Sequence, residues 1–277
     1  MIEWTSPPRR PLLRQPVALI ALGWLALVVS GASLAPCLTP AGPMAADAAR
    51  VLLPPGASWP LGTDSLGRDV LTRLLWGGRW TLGMGVISLA VAVGLGLPTG
   101  LAAGTFGNWI GSTLMRVVDA LLAFPGLLLA MAVVALMERG VVAVAVAVGL
   151  AAAPAYARVT RSAVLEVLVQ PYVEAARAVG CNEGRIMVRH VLPNAVAPLL
   201  AFAATQLGWV LLNGAALNFL GLGVQPGTPE WGAMLADGRG HLRQAPWAST
   251  FPGLALTLTV LAANLLGDGL QEALRRR

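Results

Sequence analysis

The sequence has no lysine: all 19 of its basic residues are arginine, set against 13 acids. A P-loop nucleotide site needs the lysine of G-x-x-x-x-G-K-[ST] to reach the β and γ phosphates, so ATP chemistry of that kind must come from a partner. Charge of either sign is scarce. Only 12% of residues are charged and 56% are hydrophobic, against about 25% charged in soluble domains, which excludes an ordinary soluble fold. Cysteine and histidine occur twice each. In the topology below, Cys37 and Cys181 fall on opposite sides of a bilayer, as do His190 and His241, so neither a disulfide nor a metal-ligand cluster is expected. The net charge of +6 raises the question of nucleic acid. The arginines are spread between apolar runs rather than massed on one patch, so nucleic acid is not an expected partner.

What the chain has in abundance is long apolar runs. Six windows, at about 17–35, 82–104, 117–137, 141–157, 195–218 and 251–268, carry almost no charge. At ~1.5 Å per residue each is long enough to cross a ~30 Å hydrocarbon layer. The expectation is an all-α integral membrane protein with six transmembrane helices. It divides into a tail at 1–16, a first span at 17–35, an outer loop at 36–81, a five-helix core at 82–274 and a tail at 275–277. One side collects Arg9, Arg10, Arg14, Arg116, the five arginines from Arg158 to Arg189, and Arg275, Arg276 and Arg277; seven lie on the other side, over longer loops. The positive-inside rule therefore puts both termini in the cytoplasm. Ser33-Leu34-Ala35 after the first run also fits a signal-peptide cleavage site, although the run exceeds the 7–15 residues typical of a signal core.

The loop 158–194 is the most informative stretch and reads as two short helices joined at a glycine. Pro171 can open the first, with Glu174 in a turn where the helix dipole favours an anion, and Gly180 closes it. Asn182 is the N-cap of the second, followed by Glu183, Arg185 and Arg189, with Pro193 as its stop. Ala175, Ala176 and Ala178 leave the first arm nearly bare, so another protein's surface can approach its backbone. A solvated connection between spans is the simpler alternative.

The residues Glu174-Ala175-Ala176, Gly180 and Leu192-Pro193 resemble the E-A-A-x-x-x-G…L-P signature of permease subunits of ABC importers. Extended over 172–180 and through Arg189-His190-Val191-Leu192-Pro193-Asn194, the stretch is similar to the peptide/nickel branch, in particular its second dipeptide or oligopeptide permeases. The blocks 61–70, 219–226 and 245–268 resemble the same branch. Gly111, where an acid is expected, and the tail of three arginines depart from its pattern. The resemblance implies a type I importer permease fold without an ATPase site or cofactor of its own. It also implies a heterodimer with a homologous permease, two ATPase subunits and an extracytoplasmic substrate-binding protein. The elbow residues Glu174, Ala175, Ala176, Gly180, Asn182, Arg185, His190 and Pro193 would meet the ATPase. The implied cargo is small peptides, with nickel or a metal chelate as the alternative.

Other polar positions have local readings. Residues 61–81, with Val70, Leu71, Leu74 and Leu75 on one face, suggest an interfacial helix lying on membrane lipid, with Asp69 paired to Arg73 and with Trp76 and Trp80 as anchors. Asp119 is expected to pair with Arg116 at a membrane boundary. Pro98, Pro125, Pro154 and Pro198 mark candidate kinks. The loop 219–250 is longer than a connection needs, and its position suits contact with a delivered substrate or its binding protein. Two rival classes are weaker. An intramembrane hydrolase lacks its serine loop and has both histidines outside the spans. A stand-alone ion-coupled transporter lacks a suitable intramembrane acid.

Overall fold

The computed structural model describes residues 15–106 and 109–274; Arg9, Arg10, Arg14, Arg275, Arg276 and Arg277 of the charge argument lie outside the described residues. In chain order its helices are α1 (Pro16–Leu38), α2 (Val70–Thr105), α3 (Trp109–Leu122), α4 (Gly126–Val134), α5 (Val141–Leu168), α6 (Pro171–Ala178), α7 (Glu183–Ile186), α8 (Leu192–Phe219), α9 (Trp231–Gly238) and α10 (Trp247–Leu274). Five stretches are long and apolar enough to cross a membrane: α1, α2, α5, the run Glu183–Phe219 and α10. A sixth crossing exists only if α3 and α4, bent by 90° against each other, count as one span.

The break in the expected 117–137 span falls at Pro125, which lacks the N–H and crowds the carbonyl a turn earlier. Gly126 then brings α4 against Trp209, whose ring would lie 2.6 Å from an added Cβ. Pro98, Pro154 and Pro198 instead sit inside α2, α5 and α8, which continue through them. The expected interfacial helix over 61–81 also gives way. Asp69 accepts hydrogen bonds from the Leu71 and Thr72 amides (3.3 and 3.0 Å), so α2 starts at Val70 and runs unbroken for 36 residues. Its first turns do not lie on lipid. Val70, Thr72 and Arg73 are buried, and Trp76 Nε1 donates to Thr39 Oγ1 beyond the end of α1 at 3.0 Å.

The centre of the bundle is α5, which packs on α2, α3, α4 and α8. Gly96, Gly100 and Gly104 recur every four residues on α2 and let its backbone reach α5. A Cβ at these positions would come within 2.7, 2.4 and 2.6 Å of Ala153 O, Ala157 O and a Val164 methyl. Lipid tails are as apolar as leucine, so such close packing, rather than escape from water, holds membrane helices together. Gly111 follows the same rule: an added Cβ would stand 2.7 Å from Ala103 O, which explains why a glycine serves where an acid was expected. The outermost helix is α1, resting on α2 and α10, with Trp24 Nε1 donating to Thr259 Oγ1 at 3.1 Å. Its Ile20 and Leu27 point away from the protein, as suits a lipid-facing surface.

Candidate functional site

The bundle carries two elaborated ends, an elbow between α5 and α8 and a cap built from residues 39–80 and 220–250. At the elbow, Pro171 starts α6 and Gly180 ends it with φ +87°. The Cys181 amide bonds Ala176 O (3.0 Å) and the Gly180 amide bonds Arg177 O (2.9 Å), the paired closure that a left-handed residue makes possible. Asn182 Oδ1 then accepts from the Arg185 amide at 2.8 Å, opening α7. Arg177 spans the bend and donates through Nε and Nη2 to both Glu183 oxygens, at 2.8 and 3.2 Å. Val173, Ala176, Ile186 and Val191 form a small core with Val164 and Val167 of α5. The elbow is thus one packed unit riding on the end of a central helix.

The sequence-derived elbow residues divide by face. Glu174, Ala175, Gly180, Asn182, Arg185 and Pro193 are exposed, whereas Ala176 turns inward. The His190 ring lies 6.1 Å from that of Tyr172. Pro193 does not stop the second helix. A widened, π-type turn over Met187–Val191 shifts the hydrogen-bond register, with the Leu192 amide reaching Met187 O, and the chain passes Pro193 in the first turn of α8. Sequence spacing did not reveal the exposed valines around the elbow: Val169, Val179 and Val188 are 72%, 81% and 67% exposed. The elbow thus exposes apolar side chains together with Glu174 and Arg185.

The cap is held by buried polar groups. The expected Asp69–Arg73 pair is absent because Asp69 is occupied as the N-cap of α2. Arg73 instead stands 3.5 Å from Asp64 and 3.4 Å from Asp237, while Arg68 bonds Asp64 at 2.7 Å and approaches Asp237 at 3.4 Å. Deeper in, the Thr81 hydroxyl donates to Glu230 at 2.9 Å and accepts from the Trp231 amide at 3.2 Å, and Glu230 also takes the Ala233 amide as the N-cap of α9. Burial pushes the Glu230 carboxyl above the usual carboxylate range, against the hydrogen bonds it accepts. Gly67 closes the loop at φ +70°, where a Cβ would collide with Asp47 O at 1.9 Å. The loop 219–250 therefore holds a helix and supplies Glu230 and Asp237 to the cap's polar contacts. Asp119 pairs not with Arg116 but with Arg158 of α5, because α3 packs directly on that helix.

Residues 96–277 match the family described as binding-protein-dependent transport system inner membrane component. The glutathione transport system permease protein GsiD of Pectobacterium atrosepticum is 47% identical over 221 residues, 80% of this chain and 73% of that protein. The di/tripeptide transport system permease protein DppC of Pseudomonas aeruginosa is 43% identical over 263 residues, 93% of this chain and 87% of that one. In fold, a chain of the inward-facing MetNI methionine ABC transporter superposes with a TM-score of 0.62 at 23% identity, covering 73% of this chain and 96% of that chain.

Proposed function

Since this chain belongs to the family of inner membrane components of binding-protein-dependent transport systems, we propose that it is the permease subunit through which an ABC importer moves small peptides into the cytoplasm. Similarity to a di/tripeptide permease along 93% of the chain carries the cargo assignment. In this reading the elbow faces the cytoplasm, both termini lie on that side, and the cap faces the substrate-binding protein. A homologous permease completes the pathway as a heterodimer, and one ATPase subunit sits on each elbow.

The elbow is suited to this work by its construction. Its small core is continuous with α5 and its second arm is continuous with α8, so a push on α6 moves two spans as rigid bodies. Glu174, Ala175, Asn182, Arg185 and the exposed valines offer the docking face, Ala176 packs that face onto α5, and Gly180 sets the bend. His190 and Pro193 shape the return into α8.

The test is reconstitution of this chain with its permease partner, ATPase subunits and binding protein in liposomes. ATP-dependent accumulation of labelled dipeptide, with no accumulation of nickel, is the expected result. Intact ATPase activity with neither dipeptide nor glutathione accumulating would overturn the assignment. Glutathione, itself a tripeptide, is the second reading, favoured by the 47% identity to a glutathione permease; accumulation of glutathione alone would select it.

A further inference from the structure

A groove of about 450 Å³ opens beside the cap, where the turn between α4 and α5 meets α2 and the segment leading into α9. Trp80, Glu138, Arg139, Val142, Gln225 and Thr228 line it. The buried charged side chains at this end are already engaged, in the Arg68–Arg73 network and around Glu230. Glu138 and Arg139 are not. Both are exposed, and among the described residues neither forms an ion pair. As chain neighbours they cannot pair face to face as residues three or four apart on a helix do. Trp80, 44% exposed, adds an aromatic face, and Gln225 and Thr228 add an amide and a hydroxyl.

The chemistry of this lining is that of a short zwitterion. It offers one free carboxylate, one free guanidinium, an apolar aromatic surface and neutral hydrogen-bonding groups. A dipeptide carries an ammonium and a carboxylate no more than about 7 Å apart, an amide between them, and side chains that gain from an aromatic contact. Guanidinium is the side chain best matched to a carboxylate. A lipid-anchoring role suits Trp80 and Arg139 but not the carboxylate of Glu138 in the same lining.

We propose that this groove is an entrance site for the cargo, in which Glu138 takes the peptide ammonium, Arg139 its carboxylate, and Trp80 a side chain. The inference rests on the peptide assignment above and adds a place on this chain where the peptide first lodges after release from the binding protein.

The complete importer tests it with Trp80 replaced by the photoreactive p-benzoylphenylalanine and with the labelled dipeptide Ala-Phe loaded on the binding protein. Illumination is expected to yield a peptide adduct on this chain, and excess unlabelled dipeptide should suppress it. Glu138→Gln and Arg139→Gln should each reduce that adduct and the initial uptake rate on the order of tenfold, the loss of one charge-assisted contact. Thermal stability should not change, because both side chains are exposed. An adduct with the binding protein, the second permease or lipid in place of the peptide would overturn the site, as would undiminished uptake in both variants. Failure of the unmodified importer to accumulate Ala-Phe would instead sink the cargo assignment.

Discussion

The cap and the elbow are stabilised in opposite ways. At the cap, groups far apart in the chain hold one another through buried side chains: Thr81 bonds Glu230 in the interior, and the buried Arg73 reaches the partly exposed Asp237. At the elbow, residues within a dozen positions hold one another at the surface, through the Gly180 closure, the Asn182 cap and the Arg177–Glu183 pair. A buried polar network costs several kcal/mol if one partner is removed, because the remaining charge stays desolvated. An exposed ion pair contributes about 0–1 kcal/mol. The cap is therefore held in shape by long-range contacts, whereas the elbow is held in shape by local ones at the surface.

The largest effect should come from cutting the cap network. Asp64→Ala leaves the buried guanidinium groups of Arg68 and Arg73 with only the partly exposed Asp237, 3.4 Å from each, and should destabilise the protein by about 3–5 kcal/mol, read as a drop in the thermal unfolding midpoint of the detergent-purified chain. A midpoint unchanged from wild type would refute the contrast between the two ends. The same substitution made at both ends sharpens it. Gly67→Ala adds a left-handed backbone penalty and a collision with Asp47 O, for a cost of about 3 kcal/mol or more. Gly180→Ala meets open space and carries only the backbone penalty, about 1–2 kcal/mol.

Glu230 adds a pH dependence to the cap. Burial raises its carboxyl, so the folded state keeps a proton that the unfolded chain loses near pH 4.3. The stability it contributes is complete below that pH and declines as pH rises towards the raised value, by at most about 1.4 kcal/mol per pH unit. Glu230→Gln should flatten that decline in midpoints measured between pH 4 and 8. A wild-type profile that rises over the same interval would contradict the burial of an acid there.

The elbow was legible in the sequence because its determinants are local. A proline at a helix start, a glycine at φ +87° and a capping asparagine all act within a few residues of where they stand. The six apolar runs were legible for the same reason, although the bend inside the third was not. Averaging over its length hid what Phe124-Pro125-Gly126 does to a helix, and the 90° bend is the result. The cap was not legible. Nothing near Thr81 announces Glu230, and Asp69 presented an i,i+4 partner in Arg73 that the N-cap position took away. The tight contact of α2 with α5 had a visible signal in Gly96, Gly100 and Gly104, whose spacing of four is the small-residue pattern of membrane helix contacts. Pro193 misled because a single widened turn is enough to absorb a proline.

The smallest effect on stability should carry the largest effect on work. Glu174 is exposed on α6 with no role in the elbow core, so Glu174→Arg should shift the folding free energy by no more than about 0.5 kcal/mol. Arg177→Ala loses an exposed pair and should cost under about 1 kcal/mol. Both should insert and purify as wild type does. If the elbow transmits the ATPase stroke, Glu174→Arg reverses the charge at the contact and should abolish dipeptide uptake in the reconstituted importer. Arg177→Ala loosens the joint between α6 and α7, so the two arms no longer move as one piece, and should leave ATP hydrolysis running with reduced uptake. The ratio of peptide moved to ATP consumed separates the two cases, because a lost contact lowers stimulated hydrolysis and uptake together while a loosened joint lowers only the ratio. Wild-type uptake in Glu174→Arg would place the docking face elsewhere on the bundle, and an unchanged ratio in Arg177→Ala would show that the small core beneath the elbow is stiff enough without the ion pair.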